Sequence, residues 1–159
     1  MKLFVFIVGF LSFSSAMFAS ADENPTLKRV LELYKRKDFK EINKIASEYI
    51  RSQEDLSQDD KVIKVYFHTE NDLQKLDTVL DQIYKNTDEL SPKFHTLTYM
   101  LMEKTLLAEQ YDIGVKWGDI YRKEAKSKKT KYIKGLYLYS CLLYKANKST
   151  ISLSVIDNA

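Results

Sequence analysis

The sequence predicts an all-α protein built from antiparallel pairs of helices. Glycine and proline are scarce, with 4 and 2 residues in a chain of 159, which favours helices over sandwiches and barrels. Apolar residues recur at helical spacing through most of the chain, as they do on the buried face of a helix. The predicted helices also form pairs that repeat at a nearly constant interval, which is typical of a helical solenoid.

Capping residues place the starts of several helices. Asn24-Pro25 and Ser91-Pro92 each combine an N-cap side chain with a proline, whose missing N–H needs no partner in the first turn. Asp38 begins the second helix of the first pair, and Asn71-Asp72 opens another helix. Ser57, followed three residues later by Asp60, resembles a capping box ahead of a further helix.

The second helices of the pairs align with one another. Phe39, Leu73 and Tyr111 stand at equivalent positions, separated by 34 and 38 residues. A further 38 residues leads to Ser149, where a fourth such helix would begin. Residues 149–159 also alternate as a strand would, but the rhythm of the preceding pairs favours a short helix there.

Two turns of the chain resemble the turn of a tetratricopeptide repeat (TPR). In residues 34–42 an aromatic side chain closes the first helix and Asp38-Phe39 opens the second. Residues 107–114 are similar, with Gly114 as a small residue that lets paired helices approach closely. The resemblance implies a short right-handed TPR-like α-solenoid, in which a partner peptide or helix lies along the concave face made by the first helices. An irregular helical bundle is the alternative arrangement.

The N-terminal residues 1–21 are predicted to be a cleaved export signal. Lys2 supplies a positive charge, residues 3–11 form an apolar run too short to span a bilayer, and residues 19–21 suit a signal peptidase. No cysteine stands at the cleavage point to carry a lipid anchor. We therefore expect the domain at residues 22–159 to be periplasmic or secreted, without a transmembrane segment.

Composition and motifs argue against catalysis and against nucleic-acid binding. The formal net charge of +3 is close to balance, whereas nucleic-acid binding domains are usually strongly basic. His68 and His95 lack the spacing of a zinc site, and Cys141 is the only cysteine. Asp77 and Asp81 lie one helical turn apart. Such a spacing more often marks a solvent-exposed helix face than a catalytic acid–base pair. The sequence thus predicts no catalytic residues, no cofactor and no metal.

Two sets of residues are candidates for binding a partner. The first consists of three aromatic side chains and a lysine that fall on the predicted concave face or off the main packing stripe: Tyr66, Tyr99, Lys104 and Tyr139. The second is a basic cluster that would suit lipid head groups, acidic glycans or an acidic protein face. Its members are Arg122, Lys123, Lys126, Lys128, Lys129, Lys131 and Lys134.

The function that these features predict is that of an exported, non-catalytic scaffold or adaptor for protein–protein interaction. Its partner is expected to be a protein or peptide in the same compartment. One alternative is a small exported enzyme or effector whose site is not recognisable in the sequence. Another is a protein that binds anionic envelope surfaces through the basic cluster. Because an open end of a helical stack exposes apolar surface, a dimer through the C-terminal end is a further expectation.

Overall fold

A computed structural model of the chain describes residues 24–53, 56, 61–85, 92–127 and 133–148, and at 92, 93 and 124–127 it describes the backbone alone. Within those ranges every regular element is an α-helix, which confirms the predicted all-α class. None of the described helices has the length and apolarity of a membrane-spanning helix. The predicted export signal, the Ser57–Asp60 capping box and residues 149–159 lie outside the described residues. The chain divides into two compact units.

Three mutually contacting helices make up the described part of the first unit: α1 (Pro25–Lys35), α2 (Phe39–Ser52) and α3 (Lys61–Thr69). The predicted caps at the starts of α1 and α2 are confirmed. Asn24 Oδ1 accepts the N–H of Leu27 at 3.0 Å, and Asp38 Oδ1 accepts the N–H of Glu41 at 3.3 Å. These bonds satisfy N–H groups that have no partner within the first helical turn.

The second unit contains α4 (Leu73–Lys85), α5 (Pro92–Leu107), α6 (Tyr111–Ser127) and α7 (Ile133–Lys145). Asp72 caps α4 as predicted, because its Oδ1 atom accepts the N–H groups of Gln74 and Lys75 at 3.1 and 3.3 Å. Helix α5 contacts α4, α6 and α7, and α6 also contacts α7. Helix α5 is therefore the centre of this unit.

Side-chain contacts show that α5 and α6 run antiparallel. A Cβ atom at Gly114, early in α6, would overlap the side chain of Thr105, late in α5. Later in α6, the Tyr121 ring lies 5.2 Å from the His95 ring, which is early in α5. Both rings are buried. The two helices thus form a hairpin whose closed end is at residues 108–110.

Helix α7 also packs antiparallel against α6. The Cβ position of Gly114 also points at Leu142, late in α7, and a Cβ atom at Gly135, early in α7, would overlap the Tyr121 ring. Helix α6 is therefore antiparallel to α7 as well as to α5. It follows that α5 and α7 run parallel to each other, side by side.

The same turn follows α1, α5 and α7. Lys37, Glu109 and Asn147 have φ values of 58, 59 and 61°, in the left-handed region. In each turn this residue donates its N–H to the carbonyl three residues back, and the next residue donates to the carbonyl five residues back. That pattern is a Schellman motif. Equivalent positions in the three helices can therefore be found by counting back from the left-handed residue.

Replacement of the left-handed residue by glycine is expected to stabilise the protein. A side chain at φ near 59°, as at Glu109, costs about 1 kcal/mol that glycine does not incur. We expect Glu109→Gly to raise the free energy of unfolding by about 0.5–1 kcal/mol in urea titrations.

Asp112→Gly is the matched control, because Asp112 is an exposed residue in the first turn of α6. Glycine inside a helix lowers stability by about 1 kcal/mol relative to alanine, so this variant should be destabilised. A loss of stability in both variants would contradict the turn geometry.

Candidate binding surfaces

An aromatic cluster centred on Trp117 joins α4, α5 and α6. The Trp117 side chain is fully buried, and its ring centroid lies 5.9 Å from that of Phe94 and 6.2 Å from that of Tyr84. Its Nε1 atom donates a hydrogen bond to Asp77 Oδ1. The indole is thus held by packing on one side and by a carboxylate of α4 on the other.

Lys116 forms ion pairs with the two carboxylates that share one face of α4. Its Nζ atom lies 2.8 Å from Asp77 Oδ1 and 3.1 Å from Asp81 Oδ1, and 4.7 Å from the centroid of the Trp117 ring. Burial tends to raise the pKa of Asp81, but the hydrogen bond and charge of Lys116, aided by Lys85, lower it overall. These contacts support a stabilising role for the Asp77–Asp81 pair within the fold.

Two of the predicted partner-binding tyrosines lie in the interior, which corrects the expectation for them. Tyr66 is 2% exposed and Tyr139 is 1% exposed. The Tyr139 ring packs where Gly118 has no side chain, and its hydroxyl donates to Asp119 Oδ1. Burial and the bond to Asp119 raise the pKa of Tyr139. Neither ring offers a surface to a partner in this fold.

The other two predicted residues, Tyr99 and Lys104, lie on α5 and are partly exposed. Lys104 Nζ donates to the backbone oxygen of Glu70 at 2.8 Å, and burial lowers the pKa of Lys104. This lysine therefore ties α5 to the residues that precede α4. Burial, and secondarily the charge of Glu103, raise the pKa of Tyr99.

An exposed apolar stripe on α7 was not among the predicted site residues. Ile133, Tyr137 and Tyr144 are 65%, 66% and 65% exposed. Their spacing of four and seven residues places them on one side of the helix. Exposed apolar side chains that share a face mark interaction surfaces more often than scattered ones do.

The tyrosines of this stripe match residues of α5. Tyr137 lies ten residues before Asn147, and Tyr99 lies ten residues before Glu109. The two tyrosines are therefore equivalent. Helices α5 and α7 are parallel and in contact, and both meet Gly114 of α6 near their ends and Tyr121 of α6 near their starts. Equivalent positions therefore lie at about the same level. We use "α5–α7 face" for the surface formed by three such pairs: Tyr99 and Tyr137, Glu103 and Cys141, and Leu106 and Tyr144.

Only part of the basic cluster falls within the described side chains. Lys123 and Lys134 are exposed and Arg122 is partly exposed. The side chains of Lys126, Lys128, Lys129 and Lys131 lie outside the described part of the chain. Binding of this cluster to anionic surfaces stays a prediction.

Comparisons with known proteins assign no family to the chain. No family model, curated protein or solved structure matches it significantly.

Proposed function

We propose that the chain is an exported scaffold that binds a segment of a partner protein on the α5–α7 face. The observation that carries the proposal is the exposure of Tyr137 and Tyr144, 66% and 65%, beside Tyr99 and Leu106 of the neighbouring parallel helix. Tyrosine offers a large contact area at a low cost in conformational entropy, and it adds a polar tip for orientation. Such residues dominate the binding energy of many protein interfaces.

The arrangement of helices in this proposal is a stack of TPR-like pairs, with α5 and α7 as first helices. The repeated Schellman turn and the parallel course of α5 and α7 support it. The resemblance in the turn sequences implies that first helices line the concave face of such a stack. The α5–α7 face would then be part of that concave face, and export would follow from the signal predicted at residues 1–21.

Partner capture with matched surface variants tests the proposal. The full mature chain, as bait in an extract of its own compartment, should recover one dominant protein. We expect the double variant Tyr137→Ser, Tyr144→Ser to reduce that recovery by about tenfold or more, because loss of interface aromatics commonly costs over 1.4 kcal/mol. Tyr99→Ala should weaken recovery to a smaller extent, since its ring is less exposed.

Phe39→Ser in the first unit provides the control, because Phe39 is a 43% exposed aromatic residue that does not belong to the proposed face. Its recovery of the partner should match that of the unaltered chain. Equal recovery by all variants, with thermal unfolding unchanged, would contradict the assigned face. Recovery of no protein would count against the scaffold function itself.

A further inference from the structure

Glu103 places a single carboxylate within the α5–α7 face. It follows Tyr99 by four residues, so the two side chains lie one turn apart on the same side of α5. Among the described residues, the Glu103 carboxylate makes neither a hydrogen bond nor an ion pair. The adjacent cation, Lys104, donates instead to the Glu70 carbonyl. The carboxylate is therefore available to a ligand.

The pKa values of the Glu103 carboxyl group and of the Tyr99 phenol are both raised. Partial burial raises the pKa of Glu103, with the charge of Lys104 opposing the change. Burial, together with the charge of Glu103, also raises the pKa of Tyr99, which fits a phenol close to the carboxylate. Glu103 is exposed at the surface, so a cation from a partner can reach the carboxylate and form a charge-assisted hydrogen bond with it.

Elsewhere in the chain a cation is held by an aromatic ring together with a carboxylate. In the second unit, Lys116 Nζ lies 4.7 Å from the centroid of the Trp117 ring and 2.8 Å from Asp77 Oδ1. An aromatic face attracts a cation through its quadrupole, and a carboxylate adds a charge-assisted hydrogen bond. On the α5–α7 face, Tyr99 and Tyr137 supply the rings and Glu103 supplies the carboxylate.

We propose that this face binds a basic side chain of the partner, arginine or lysine, between Tyr99 and Tyr137 and against Glu103. The apolar residue on one side of that basic side chain contacts Leu106 and Tyr144, and the one on the other side contacts Ile133, which is 65% exposed. This assignment rests on the proposed scaffold function and names the chemistry of its partner: a segment with a cation between apolar residues. Charge complementarity to the single carboxylate selects this segment over an acidic one.

Alkylation of Cys141 gives a direct readout of occupancy. Cys141 is the only cysteine of the chain, it is partly exposed, and it is the equivalent of Glu103 on α7. The probe is a short capped peptide with one arginine between two leucines, at millimolar concentration. Its matched control carries citrulline, which keeps the shape of arginine without the charge. We expect the arginine peptide to slow the reaction of Cys141 with iodoacetamide by about threefold or more, because thiol reactivity depends on access.

Variants of single carboxylates separate the cation site from general peptide binding. Glu103→Gln should abolish the difference between the two peptides, whereas Asp112→Asn, at an exposed acid on α6, should preserve it. Equal protection by both peptides in the unaltered chain would overturn the cation site and leave the proposed scaffold surface standing. Protection by neither peptide would overturn the cation site and also weigh against the face as a binding surface.

Discussion

Trp117→Ala is expected to lower the free energy of unfolding by about 3–5 kcal/mol, the usual cost of truncating a buried large aromatic residue. The indole is fully buried, and its neighbours Phe94 and Tyr84 lie with ring centroids 5.9 and 6.2 Å away. Truncation leaves a cavity between three helices of the second unit. It also removes the Nε1–H group that donates a hydrogen bond to Asp77.

Trp117→Phe separates the packing from the hydrogen bond. Phenylalanine fills most of the site but has no donor for Asp77, so we expect a loss of about 1–3 kcal/mol. Lys116 Nζ, 2.8 Å from Asp77 Oδ1, keeps the carboxylate partnered and limits the cost. Urea titrations of both variants measure these differences.

The control for the tryptophan variants is Leu107→Ala on α5. Leu107 is 63% exposed, so its truncation should change the free energy of unfolding by only about 0.5 kcal/mol or less. A Trp117→Ala variant as stable as Leu107→Ala would show that the indole is not the packing centre of this unit.

Local features of the fold were predictable from the sequence because their causes are local. Asn24, Asp38 and Asp72 cap their helices through side-chain oxygens that accept N–H groups two or three residues ahead. The residue types and their position before apolar periodic segments are enough to predict such bonds.

The exposure of individual tyrosines was not predictable, because α7 carries apolar or aromatic residues around most of its circumference. Tyr137 is 66% exposed, while Tyr139, two positions later, is 1% exposed. Periodicity alone does not decide which side of such a helix is buried. The deciding contact comes from Gly118, which is on another helix, and the bond between Trp117 and Asp77 likewise joins residues 40 positions apart. Such pairings depend on tertiary structure.

Gly118→Ala is the second substitution with a large expected effect. A Cβ atom at Gly118 would overlap the Tyr139 ring, and the ring is held in place by the bond from its hydroxyl to Asp119 Oδ1. Either the ring leaves its position or α7 moves away from α6. We expect the free energy of unfolding to fall by about 2–3 kcal/mol, within the range measured for overpacked cores. Urea titration measures the loss.

The clash predicts that the effect of Gly118→Ala depends on Tyr139. In a Tyr139→Ala background the overlapping ring atoms, Cγ included, are absent, so the added methyl group has room. There alanine should be neutral or stabilising by up to about 1 kcal/mol, since it is the better helix former. The difference between the two backgrounds is the coupling energy of the pair, which double-mutant cycles isolate for residues in contact. A cost that is the same in both backgrounds would mean that another neighbour of Gly118 is responsible.

The same substitution connects the packing of α7 to the proposed function. Tyr137 and Tyr144 belong to the helix that Gly118 allows to approach α6, whereas Tyr99 and Leu106 belong to α5. A displacement of α7 would change the separation of the two halves of the α5–α7 face while leaving each side chain intact. Gly118→Ala protein that is still folded at low temperature should therefore bind the partner more weakly than the unaltered chain. Binding of equal strength would mean either that the Tyr139 ring moves while α7 keeps its place, or that one helix alone carries the contact.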